Sequence, residues 1–323
     1  MAARSPTRSV LAEPVPVDAD SRLELLRRED APVFDSEPVW PLSVGAELQA
    51  VIREREHEAE LCKAGLSPTK SLLFVGPPGV GKTLAARWLA SRLRRPLLTL
   101  DLAAVMSSFL GRTGNNIRVV LDFARRFPCV LLLDEFDAIA KRRDDAAEVG
   151  ELKRLVTVLL QAIDDWPPEG LLVAATNHSE LLDPAAWRRF DRVVEFPYPS
   201  VGEVKELLGR LLGDDLAPMD DIFPALAAAL HGSSFAEVTR RVNQTRRHVL
   251  VDKVPPREAL TQLAAELCRG RDPKGRLEIA KLLLETGESQ RTVSEFTGVS
   301  RDTIRKHTNS NSHSHSHRAP SRR

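Results

Sequence analysis

Five short apolar runs punctuate the first two hundred positions: Leu72–Val75, Pro96–Asp101, Cys129–Asp134, Leu171–Ala175 and Arg192–Phe196. The third is continuous and apolar, as expected for a strand covered on both faces. Between them lie stretches of helical character at Leu84–Leu93, Asn115–Phe127 and Glu148–Ile163. Strands alternating with helices of this length predict a parallel sheet with helices on both faces, an α/β fold. Upstream, Val44, Leu48, Val51 and Ile52 recur at helical spacing in a stretch that runs to Ala64 and is stopped by Gly65 and Pro68.

Past Pro199 the strand pattern disappears. Helices are predicted at Val201–Leu212, Asp220–Leu230, Phe235–Leu250, Arg257–Arg269 and Arg276–Glu285, followed by two short ones around Gly298. The domain plan is therefore a flexible Pro-rich arm at 1–41, an α/β domain at 42–199 and a small helical domain at 200–256. A helical C-terminal module at 257–307 and a tail at 308–323 follow. A short helix at Ser21–Arg28 is allowed within the arm. Phe34 and Trp40 either anchor its end or stand exposed. The tail is Ser, His and Arg with nothing apolar, and is expected to be disordered.

Composition changes this picture little. The chain has 323 residues, 42% hydrophobic and 28% charged, with a formal net charge of +1. That is ordinary for a soluble globular protein and gives no whole-chain signal for nucleic acid or membrane. Cys62, Cys129 and Cys268 are too scattered for a metal or redox motif, so reduced thiols and a cytoplasmic location are expected. No apolar run reaches the ~18 residues of a membrane span, and the first thirty residues lack the apolar core of a signal peptide.

The chemistry concentrates at Gly76-Pro77-Pro78-Gly79-Val80-Gly81-Lys82-Thr83, set between the first predicted strand and a helix. That is the context of a phosphate-binding loop. Glycines let successive backbone N–H groups line a nest for anionic oxygens, and the helix start adds its positive end. Lys82 would reach the β- and γ-phosphates, and the Thr83 hydroxyl would ligate Mg²⁺. The third apolar run ends in Asp134-Glu135, at the sheet edge where such folds bind ligands. Asp134 suits the Mg²⁺ shell and Glu135 the polarisation of an attacking water. Asn177 ends the fourth run, either turning the chain or contacting the γ-phosphate. Arg188 and Arg189, next to an apolar anchor, could clamp phosphate bidentately; from spacing alone they read as charges at a salt-bridged helix end.

These motifs, in this order over about residues 44–250, resemble an ATPase of the AAA+ superfamily, near its AAA clade. Gly76–Thr83 is similar to the Walker A motif, residues 131–140 to Walker B and residues 174–177 to sensor 1. Residues 182–196 resemble the arginine-finger region, with the finger at Arg189, although the chain is shorter there. The resemblance implies a P-loop NTPase fold, ATP and Mg²⁺ as cofactors, and catalytic roles for Glu135, Asn177 and Arg189. It also implies a homo-oligomeric ring, usually a hexamer, in which Arg189 acts on the neighbour's nucleotide. A protein client is expected, with an associated protease as one destination. By the same resemblance Phe109 and Leu110 belong to a pore loop that grips the client; the plainer reading packs Phe109 on the following helix.

The C-terminal stretch around Gly298 resembles a helix-turn-helix, with Ser300 as N-cap of its second helix. From Arg257 onward there are 13 basic and 8 acidic residues, so this part is positive while the rest is slightly negative. DNA is thus a candidate partner through residues 287–307, with a protein-contact module as the rival. Three functions stay in play: a protein-remodelling ATPase, an ATP-dependent DNA-binding regulator of the replication or transposition type, and an inactive nucleotide-binding scaffold.

Overall fold

The computed structural model describes residues 13–18, 21–102, 113–139, 149–213, 222–285 and 289–312. The expected pore-loop residues Phe109 and Leu110 lie outside them. The chain divides into two compact units, Met1–Pro197 and Tyr198–Arg323.

The first unit is built on a six-stranded sheet. Its strands are β1 (Arg27–Glu29), β2 (Ser71–Val75), β3 (Leu97–Asp101), β4 (Val130–Asp134), β5 (Leu171–Thr176) and β6 (Arg192–Glu195), in the order β1-β3-β4-β5-β2-β6. All neighbours are parallel except β1, which runs antiparallel to β3 along one edge. Every residue of β2 and β5 is buried, as their apolar runs require. The first helices are α1 (Leu42–Glu56), α2 (Glu58–Lys63), α3 (Lys82–Arg92), α4 (Thr113–Ala124), α5 (Val149–Asp164) and α6 (Pro184–Trp187). One core joins Leu73, Leu131 and Leu133 to Ile117 and Phe123 of α4; the other joins Leu72, Phe74 and Val173 to Val44 and Leu48 of α1 and Trp88 of α3. The single helix expected from Val44 to Ala64 is broken at His57, where the apolar spacing has already stopped.

The arm differs from its expectation. From residue 13 onward its described part packs on the α/β body instead of hanging free. Leu25 and Leu26 are buried in the sheet core, and Asp18, buried, accepts a hydrogen bond from Asn116 Nδ2 at 2.8 Å. Where a short helix was allowed, Arg27–Glu29 instead pairs with the edge of β3. Glu29 then holds Arg87 of α3 at 2.6 Å, and Phe34 lies under the same guanidinium at 4.9 Å. Trp40 meets Trp88 edge to face with centroids 6.0 Å apart. Proline density argued for disorder, but two leucines and a backbone ladder offset the entropy of ordering.

The second unit is all-helical among the described residues: α7 (Val201–Leu212), α8 (Phe223–Ala229), α9 (Phe235–Asp252), α10 (Pro256–Arg269), α11 (Pro273–Glu285), α12 (Gln290–Thr297) and α13 (Arg301–Ser312). A capping box of Ser200 and Glu203 starts α7. The boundary expected between 256 and 257 falls inside one packed body. Leu260, Leu263 and Ala264 of α10 share a core with Val204 and Leu208 of α7 and Val238 of α9, while Cys268 of the same helix belongs to the core of α11–α13. Helix α10 is the common wall of both clusters. No described helix is long and apolar enough to cross a membrane.

Candidate active site

Strand order decides which residues meet. β5 lies between β4 and β2, so three adjacent strands deliver their C-terminal ends to one edge. Those ends lead into Glu135, Asn177 and the loop Gly76–Gly81. Val75 stands opposite Thr176, which fixes the loop one residue from Asn177 across the sheet.

The loop needs its glycines. A Cβ on Gly76 (φ +151°) would fall 2.3 Å from the carbonyl oxygen of Phe196, so no side chain fits. Gly81 (φ +102°) is the N-cap of α3 in a left-handed conformation that other residues adopt at a cost. Val80, fully buried, pins the loop to the core beneath. Pro77 and Pro78 have no N–H, which leaves the donors for an anion at Gly79 and beyond, where α3 adds the positive end of its dipole.

Lys82 opens α3 and is buried. Its Nζ donates to the Gly76 carbonyl at 2.7 Å, the Pro77 carbonyl at 2.9 Å and Asn177 Oδ1 at 2.7 Å. All three donors of the ammonium are thus satisfied by neutral acceptors. Burial pushes its pKa down to about 8, although Asp134 and Asp137 pull the other way. Next to it, Thr83 Oγ1 donates to Asp134 Oδ2 at 3.0 Å, and Asp134 Oδ1 accepts the N–H of Glu135 at 3.0 Å. The hydroxyl and carboxylate are hard oxygen donors that fit a Mg²⁺ shell. Glu135 is exposed and sits at φ +54°, a left-handed backbone for a non-glycine residue. Such conformations cost on the order of 1–3 kcal/mol and cluster at working positions.

Asp137, two residues on, went unremarked in the sequence. It is 3% exposed, and its Oδ1 accepts Thr176 Oγ1 at 3.0 Å and the Asn177 N–H at 3.3 Å. The Thr176 hydroxyl in turn accepts the His178 N–H at 3.0 Å. Asp137 therefore ties the end of β5, and with it Asn177, to the turn that follows β4. An acid set between apolar Phe136 and Ile139 was the available signal.

Lys82, Thr83, Asp134, Glu135 and Asn177 gather at one edge. Arg189 is held elsewhere: exposed, it pairs with Asp164 at the end of α5. The neighbouring Phe190 is buried and packs edge to face on Phe136, centroids 6.0 Å apart, so the turn carrying Arg189 is braced against the residue after Glu135. Arg188 is also exposed.

Comparison with known proteins agrees with this geometry. Residues 72–198 match the family described as ATPase family associated with various cellular activities (AAA). The uncharacterized AAA family ATPase y4kL of Sinorhizobium fredii is 42% identical over 208 residues, 64% of this chain and 62% of that protein. The ATP-dependent zinc metalloprotease FtsH of Acidothermus cellulolyticus is 34% identical over 75% of this chain and 37% of its own length. The proteasome-activating nucleotidase of Methanocella arvoryzae is 31% identical over 59% of this chain and 49% of its own. The chain thus spans less than two thirds of each of these relatives. A crystal structure of the FIGL-1 AAA domain shares the fold at a TM-score of 0.61 and 18% identity, covering 82% of this chain and 93% of that one. Over residues 72–198 the chain thus carries a domain that matches the AAA ATPase family.

Proposed function

We propose that this chain hydrolyses ATP with Mg²⁺ and couples the reaction to remodelling a protein client, as a homo-oligomer of ring type, a hexamer by resemblance. The observation that carries the reading is the convergence of a buried lysine, a Thr–Asp pair, an exposed glutamate and Asn177 at the ends of three adjacent strands. The names of the FtsH and nucleotidase relatives, one a protease and one an activator of the proteasome, point to a protein client and leave an associated protease as one destination.

In this reading the loop N–H groups and Lys82 take the β- and γ-phosphates, and Lys82 gives up carbonyl partners as they arrive. Thr83 and Asp134 would hold Mg²⁺, which when bound neutralises charge on the phosphate oxygens. Glu135 accepts the proton of the attacking water, and Asn177 orients the γ-phosphate side of the site. Catalysis here is mainly positioning plus electrostatics. Arg189, exposed and paired with Asp164 of its own chain, would in a ring act on the nucleotide of a neighbouring copy. Phe109 and Leu110 are proposed as the client grip. Phe109→Ala should leave phosphate release intact and abolish unfolding of a client captured from the cell. Unfolding at the wild-type rate would remove the grip from the scheme.

Lys82 gives ATP affinity a pH dependence. Its pKa is low, about 8, in the nucleotide-free protein, and triphosphate beside it favours the charged form. Binding therefore takes up a proton once the pH exceeds 8. Affinity should be flat below about pH 7, be about halved at pH 8 and fall by roughly a further tenfold by pH 9.5, against little change for an ordinary lysine of pKa ~10.4. Titration calorimetry in buffers of different ionisation enthalpy reads the proton directly. Absence of uptake at pH 8.5 would mean that Lys82 does not meet the phosphates.

A further inference from the structure

Helices α11, α12 and α13 pack around Ile279, Ala280 and Leu283 of α11, Val293 of α12 and Ile304 of α13. Three residues separate α12 from α13. Gly298 takes φ +66° and its N–H bonds the Ser294 carbonyl at 3.0 Å; Ser300 caps α13 by accepting the Thr303 N–H at 3.2 Å. The turn is thereby sharp and fixed, and Ile304 fixes which face of α13 is inside. The other described side chains of its first turns, Arg301, Asp302, Thr303, Arg305 and Lys306, are exposed.

That outer face has no apolar residue between 301 and 306, whereas the centre of a protein–protein interface is apolar or aromatic. It carries three cations and one acid. Arg305 donates to Gln290 Oε1 at 3.3 Å, which sets its guanidinium beside the start of α12. A further cation flanks the turn: Arg276 Nη1 lies 3.8 Å from the Cβ position of Gly298, and its buried Nε has no hydrogen-bond partner. Helix α13, twelve residues long, reaches about 18 Å, enough to lie in a major groove about 12 Å wide. The major groove of duplex RNA is too deep and narrow for this.

We propose that the C-terminal module binds duplex DNA, with α13 in the major groove and Arg301, Arg305 and Arg276 on the flanking phosphates. Asp302 repels phosphate and is confined to a base edge, where it accepts from cytosine N4. This function is additional to nucleotide hydrolysis and is read without ATP, so either can fail alone.

The test is fluorescence anisotropy of the full chain with a random-sequence 30-base-pair DNA duplex between 50 and 200 mM salt. Binding should weaken steeply with salt. Arg301→Ala with Arg305→Ala should cost at least about tenfold at 100 mM salt and lower the log–log salt slope by about two. The paired lysine substitutions should keep the slope, which separates lost charge from lost fold. No binding at 50 mM salt, equal binding by the alanine variant, or equal affinity for duplex RNA or polyglutamate would overturn the proposal.

Discussion

Replacing Glu135 with glutamine is expected to lower ATP turnover by about 10²–10⁴-fold while ATP still binds. The substitution changes little else. Glutamine has the same shape and occupies the same left-handed backbone at φ +54°. The contacts that would bind phosphate and metal, from Lys82 and from the Thr83–Asp134 pair, do not involve the Glu135 side chain. What disappears is a group able to accept the proton of the attacking water. Phosphate release should therefore collapse while the dissociation constant of a fluorescent ATP analogue stays near the wild-type value. The same variant, loaded with ATP, should hold its client long enough for isolation. Turnover at the wild-type rate would show that Glu135 does no chemistry, and the inactive scaffold would become the better reading.

Much of the α/β unit was legible because its strands are written as continuous apolar runs. A strand buried on both faces has no alternative composition, and the phosphate loop announces itself by glycines that the geometry at Gly76 makes obligatory. The edge strand β1 was not legible. Arg27-Arg28-Glu29 has no periodicity, and its pairing with β3 rests on backbone alone. The boundary expected between 256 and 257 is a related case: α10 has one continuous apolar stripe, and sequence does not say that Leu260, Leu263 and Ala264 meet one cluster while Cys268 at its end meets another.

In the site itself, residue types were readable and partnerships were not. Lys82 and Asn177 are 95 positions apart and meet at 2.7 Å only because β5 is inserted between β4 and β2. No local pattern encodes that order. Asp137 was missed because an acid after Asp134-Glu135 reads as more of the same charge, whereas in the fold it is buried and braces the Asn177 backbone. Cys129 was readable as core: it is fully buried, and burial pushes its thiol up to about 12, outside any redox or nucleophilic range.

Arg189 carries two readings that one experiment separates. Spacing suggested a salt bridge at a helix end, and the structure has one, to Asp164. Resemblance suggested a finger reaching into a neighbouring copy. Both partners are more than a third exposed, and an ion pair of that kind contributes roughly 0–1 kcal/mol. If the bridge were its whole role, Arg189→Ala and Asp164→Ala would behave alike and turnover would barely change. A finger in phosphoryl transfer contributes about 10³–10⁵ in rate, so Arg189→Ala should lose at least about a thousandfold while Asp164→Ala stays active. Mixing then tests the seam. Arg189→Ala chains keep Glu135, and Glu135→Gln chains keep Arg189. In randomly mixed rings about one seam in four pairs an intact cradle with an intact arginine. Two inactive preparations should therefore recover about a quarter of wild-type phosphate release when combined, and none if Arg189 serves only its own chain.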